Sequence, residues 1–296
     1  MPADRLLLES LRTLARRDWR KRVKDDPVRF PRRYESGADK EVAAFIASSF
    51  AYGRADVASR TIEIVLDRLG PRPARTIRSA KPGEIEKHLQ GIKYRFSRSE
   101  DIVLFLRAIG EALRQHGSLE NLFLAGFDGE GTDLRVPLAR FTTLLRSFAV
   151  SVSRKSKLSH GFQHLIPDAG NGSALKRLLL FLRWVARPED GIDLGLWSGV
   201  PPSSLVIPLD THVFRIGGYL GLTRRRSQGW AAAREITDCL KRIDPADPLR
   251  FDFPLCHLGM SGACPLRPDP EKCAACPLSD ACKAHHLGGE GLSVGA

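Results

Sequence analysis

Four cysteines near the C-terminus, Cys264, Cys273, Cys276 and Cys282, are separated by eight, two and five residues. Thiolates this close along a chain can wrap one metal centre with little rearrangement of the backbone. The tight C-x2-C core suits either an iron–sulfur cluster or a zinc ion, and for zinc His285 or His286 could replace a cysteine. Four reduced thiols in a loop are the plain alternative. The stretch PLRPDPEKCAACPLSDAC has too few apolar residues for a core of its own, which favours a metal as its organiser.

Three charged residues stand where chemistry could use them. Lys176 is predicted in the first turn of a helix capped by Ser173, where the helix dipole disfavours a cation and apolar neighbours add desolvation. Both effects favour the neutral amine, the nucleophile of Schiff-base chemistry. A solvated lysine beside Arg177 fits the same spacing. Asp210, in IPLDTH, is predicted to cap the next helix and stay ionised, able to stabilise positive charge developing on a sugar. A plain helix cap, worth ~1 kcal/mol, is the alternative. Asp252 lies in the apolar run FDFPLC, so it must be paired, for example with an arginine, or contact a ligand. Cys239 and Cys256 read as small buried hydrophobes, and His212 as a packing residue. Trp184, Trp197 and Trp230 could stack on a base or fill core.

The elements that must position these residues read as helices. Leu6, Leu7, Leu11 and Leu14 form one stripe within residues 4–17, before a basic stretch broken by Pro27 and Pro31. Residues 39–68 carry a long helical pattern interrupted near Gly53, and 99–115 and 134–152 carry two more. After the turn residues Pro167, Gly170 and Gly172, a stripe of Leu175, Leu178, Leu179, Leu182 and Val185 predicts a helix that Pro188 stops. Val213, Ile216 and Leu220 form the inner face of the helix begun by Asp210. The expected fold is all-α, with a helical core over residues 1–260, a metal loop over 261–286 and a flexible tail over 287–296.

The balance of 46 basic against 34 acidic residues gives a net charge of +12, which favours a polyanionic partner, nucleic acid by default. Five of the six cysteines fall between Cys256 and Cys282, a clustering that fits metal binding in a reducing cytoplasm better than a disulfide framework. MPADRLLLESL lacks the apolar core of a signal peptide, and no apolar run is long enough to span a membrane.

PLDTHVFRIGGYLGL followed by the four-cysteine loop resembles the helix-hairpin-helix DNA glycosylases of the endonuclease III type. The first cysteine gap, eight residues, is longer than theirs. Endonuclease III-type enzymes carry their lysine nearer the aspartate. Here the nearest upstream lysine is Lys176, 34 residues before Asp210 (210 − 176), a separation similar to the archaeal 8-oxoguanine glycosylase branch. Nearly the whole chain resembles a prokaryotic family of uncharacterised proteins bearing FIASSFAYGR, GSA-x-KR-x3-FLRW and PLDTHV.

The resemblance implies a two-lobed helical glycosylase with a hairpin near residues 164–176 and a [4Fe-4S] cluster on the four cysteines. It implies a monomeric enzyme of the nucleoid that excises an oxidised purine, 8-oxoguanine foremost, from double-stranded DNA and then nicks the strand. Lys176 would be the Schiff-base nucleophile, Asp210 its activating carboxylate and Asp252 a contact to the damaged base. Gly170 and Gly172 would offer backbone N–H groups to a phosphate. Arg183, Arg215 and the run Arg224–Arg226 would be further phosphate contacts. A non-catalytic nucleic-acid-binding module on the same scaffold, or a structural zinc protein, would share much of this pattern.

Overall fold

Apolar residues at helical spacing become helices along most of the chain. The computed structural model describes residues 2–286 apart from 82, 130, 132, 154–156 and 171–172, and the described residues are all-α. Their one extended pairing is an isolated bridge between Tyr94 and Ser97. Contacts divide the chain into two compact units: residues 23–171 with 184–204, and residues 1–22 with 172–183 and 205–296.

The first helix, α1 (Pro2–Ala15), belongs to the second unit and buries Leu11 and Leu14 completely, while Leu6 of the predicted stripe is exposed. The basic stretch that follows forms three short 3-10 turns, two of them opened by Pro27 and Pro31, which supply no amide donor to a longer helix.

The first unit holds α2 (Gly37–Phe50), α3 (Ala55–Leu69), α4 (Pro73–Ser79), α5 (Glu84–Leu89), α6 (Ser99–His116), α7 (Leu119–Leu124), α8 (Arg135–Ser153) and α9 (His160–Leu165). The pattern over 39–68 is two helices, parted where Gly53 turns the chain at φ 79°. α6 is the hub, packing on α4, α5, α7, α8 and α9. Its Phe105 lies 5.6 Å from the ring of Phe45 and 6.3 Å from that of Phe50. A Cβ on Gly110 would stand 2.6 Å from the Ile77 carbonyl oxygen, so glycine there is what lets α4 lie so close to α6. Glu41, inside this core, accepts from the amides of Leu119 and Glu120 and from Trp197 Nε1 at 2.7 Å. Burial pushes its carboxyl above the usual range, and the three donors act against that push.

The second unit receives α10 (Lys176–Ala186) over its residues 176–183, then α11 (Thr211–Tyr219), α12 (Trp230–Ile243), α13 (Asp252–Met260), α14 (Pro270–Ala274) and α15 (Lys283–His286). α11 packs on α12 and α13. Gly217 faces Ile236, whose Cδ1 would be 2.9 Å from an added Cβ, and Gly259 lies against His212. The cysteine-rich stretch is part of this unit, with the 3-10 turn Ser279–Ala281 packed on α1. Residues 287–296 lie outside the described residues. Among those described, no helix is long and apolar enough to cross a membrane. Trp184, Trp197 and Trp230 are all buried, so core packing is the role the structure gives them.

Candidate active site and cysteine cavity

Lys176 is the first residue of α10, three positions beyond the predicted cap Ser173. The residue before it, Leu175, is buried and sits in the left-handed region at φ 49°, one of two non-glycine residues with positive φ among those described. Such a conformation costs of order 1–3 kcal/mol and persists only where packing imposes it. Leu178, Leu179, Phe181 and Leu182 anchor α10 below, leaving the Lys176 side chain half-buried at the helix start.

Asp210 caps α11. Its backbone is extended (φ −100°, ψ 179°) and Oδ1 accepts the Val213 amide at 2.7 Å. The other oxygen, Oδ2, accepts from the thiol of Cys256 at 3.0 Å. Sequence reasoning placed Cys256 among the hydrophobes and missed this contact. A signal was present: Asp252, Cys256 and Gly259 recur at helical spacing, and Gly259 is where α13 meets His212 on α11.

His212 connects the starts of the two helices electrostatically. Burial lowers its pKa most; Asp210 raises it, and Arg215, Lys176 and His257 lower it further. Lys176 and Asp210 therefore act in opposite senses on the same imidazole.

Two predicted site residues pair with each other. Arg183 Nη1 donates to Asp252 Oδ2, and both side chains are only 3% exposed. The guanidinium also lies over the Phe253 ring, 5.5 Å from its centroid. Arg183, expected to contact a phosphate, is therefore buried against a carboxylate, and Asp252, expected to contact a base, has a protein partner. Isolated buried charges are costly, so the apolar surroundings that drew attention to Asp252 enforce the pairing.

Arg215 is also committed within the protein. Its Nη2 donates to the Cys264 carbonyl at 2.7 Å, and one turn on the Tyr219 hydroxyl donates to the Leu266 carbonyl at 2.5 Å. α11 thus carries Asp210 at its N-terminus and fastens the cysteine loop with two later side chains. Gly170 is exposed, and its N–H donates to Asp168 Oδ1 at 2.9 Å. Its predicted companion Gly172 lies outside the described residues. Arg224 and Arg226 are exposed, and Arg225 pairs with Glu235 at 2.7 Å.

Cys264, Cys273, Cys276 and Cys282 line one small cavity of about 30 Å³, together with Tyr219 and His285. Burial pushes the Cys264 thiol up to about 11, Arg215 opposes the shift, and Cys276 and Cys282 add to it. Burial raises Cys276 and Cys282 as well. Among the described residues, no three His, Cys, Asp or Glu side chains are grouped closely enough to hold a single metal ion.

The chain belongs to a family described as "Protein of unknown function (DUF2400)", which matches residues 26–261. That span takes in Lys176, Asp210 and Cys256 and ends before the four cysteines. No curated protein and no solved structure matches the chain.

Proposed function

We propose that the chain is a DNA glycosylase with AP lyase activity, built on a helix-hairpin-helix glycosylase scaffold and acting on an oxidised purine, 8-oxoguanine foremost. The observation that carries the reading is the placement of Lys176 and Asp210, each at the start of its own helix within one compact unit, with both acting on the charge of His212. A nucleophilic amine beside a carboxylate is the minimum set for imine-forming base excision.

The damaged nucleotide is turned out of the duplex so that its sugar reaches this pair. Lys176, having lost its ammonium proton, forms a bond from Nζ to C1′ as the bond from C1′ to the base breaks. The bonding electrons leave with the base, which takes up a proton. Asp210 offsets positive charge on the sugar while the bond breaks. Opening of the sugar ring gives an imine; loss of a C2′ proton then expels the 3′ phosphate oxygen and nicks the strand.

The C-x2-C-x5-C spacing, with all four cysteines lining one cavity, supports an iron–sulfur cluster, with zinc as the alternative. Cys264, Cys273, Cys276 and Cys282 would hold the cluster. Its role here is structural: it would order the loop that Arg215 and Tyr219 fasten to α11.

The test is release of free base from a duplex holding one 8-oxoguanine. Wild-type protein releases it, and Asp210→Asn, which can still cap α11, does so at least ~100-fold more slowly. Equal rates would refute the assignment of Asp210.

A further inference from the structure

The segment Lys93-Tyr94-Arg95-Phe96-Ser97-Arg98 joins α5 to α6 within the first unit. Tyr94 and Ser97 exchange backbone hydrogen bonds at 2.9 and 2.8 Å, which leaves Arg95 and Phe96 as the two-residue tip of a tight turn. Arg95 holds φ 51°, and among the described residues Leu175 alone of the other non-glycine residues has positive φ. The base of the turn is fixed: Tyr94 and Ser97 are buried, the Tyr94 hydroxyl donates to the Tyr52 carbonyl, and Ser97 Oγ donates to the Gly161 carbonyl at 2.9 Å.

This rigid base presents an aromatic ring to solvent. Phe96 is 49% exposed, whereas most of the chain's phenylalanines are buried. Its inner edge meets His160 and His164, with centroids 5.3 and 5.0 Å away, and His164 in turn meets Tyr52 at 4.5 Å. The Arg95 guanidinium lies 5.5 Å from the Phe96 centroid and 5.9 Å from that of Tyr52, stretched across Gly53. Lys93, Arg95 and Arg98 are exposed, and no carboxylate lies within ion-pair distance of any of them among the described residues.

We propose that this turn is a nucleobase-stacking site, with Phe96 as the platform for an unpaired base and Lys93, Arg95 and Arg98 holding the adjoining phosphates. Exposed aromatic surface is costly in water, and here it is held in place by a strained, well-anchored turn. A flat π-face ringed by cations that no carboxylate pairs with among the described residues matches a strand whose bases have π-faces and whose backbone is anionic. The net charge of +12 points to the same partner class. The inference concerns binding only and is independent of the excision reading, because it uses neither Lys176 nor Asp210.

The test is affinity for undamaged DNA, single-stranded and fully paired, by fluorescence anisotropy over a range of salt. Phe96→Ala should weaken single-strand binding about tenfold or more, with little change for the paired duplex and an unaltered salt slope. Phe96→Leu keeps apolar bulk against His160 and His164 but has no π-face; it should bind as weakly as Phe96→Ala, while Phe96→Trp restores affinity. Replacing Lys93, Arg95 and Arg98 by glutamine should flatten the salt slope. The site is overturned if the wild-type protein does not bind single strands, if Phe96→Leu binds as wild type, or if Phe96→Ala weakens both substrates equally. Failure of base release with these binding results intact would count against the excision reading alone.

Discussion

The thiol of Cys256 donates to Asp210 Oδ2 across 3.0 Å, while Oδ1 of the same carboxylate caps α11 through Val213. Both oxygens of the proposed activating group are therefore held by protein donors, one from its own helix and one from α13. A thiol is a weak donor, so its contribution is of order 1 kcal/mol. Cys256→Ala should slow base release about three- to tenfold with little loss of stability, and Cys256→Ser, which keeps a donor, should recover most of the rate. Single-turnover excision measures it; an alanine variant as fast as wild type would leave the contact without a role in positioning.

The pairing of Arg183 with Asp252 makes a different prediction. Removing one member strands a buried charge, so Asp252→Ala or Arg183→Ala should cost ~3–5 kcal/mol of stability. Replacing both with apolar residues of similar size should recover much of that loss, because no charge is left behind. Chemical denaturation of the two single variants and the double variant forms the required cycle. A stable single variant with impaired lesion binding would return Asp252 to the role of base contact.

Much of this arrangement was legible in the sequence, and the failures share one physical cause. Periodicity located α6, α8 and α11 closely because each buries one apolar stripe. The Asp210 cap followed from local chemistry alone. The roles of Arg183, Arg215 and Cys256 did not, because each depends on a partner 46 to 69 residues away. A guanidinium looks the same in a sequence whether it faces a phosphate or a buried carboxylate. The start of α10 was misplaced because Ser173 has the composition of a cap, while Leu175 takes a backbone conformation that side-chain type does not announce. The Phe96 turn escaped notice because its Arg-Phe tip has none of the glycine or asparagine that usually marks positive φ.

The cysteine cavity is predicted to depend on all four sulfurs. Cys276→Ser should lower iron content, bleach the visible absorption of the purified protein and lower the melting temperature, since burial disfavours an uncompensated thiolate. Loosening the loop also removes the acceptors of Arg215 and Tyr219 on α11, so base release should fall with iron content. Zinc in place of iron, at one equivalent with full stability, would contradict the cluster.

The most direct measurement of the central claim is borohydride trapping on a duplex holding one 8-oxoguanine, followed by mapping of the cross-linked peptide. The account predicts a covalent protein–DNA adduct on the peptide containing Lys176, absent from Lys176→Ala and weak in Asp210→Asn. An adduct on another residue, or base release that proceeds undiminished in Lys176→Ala, would contradict it.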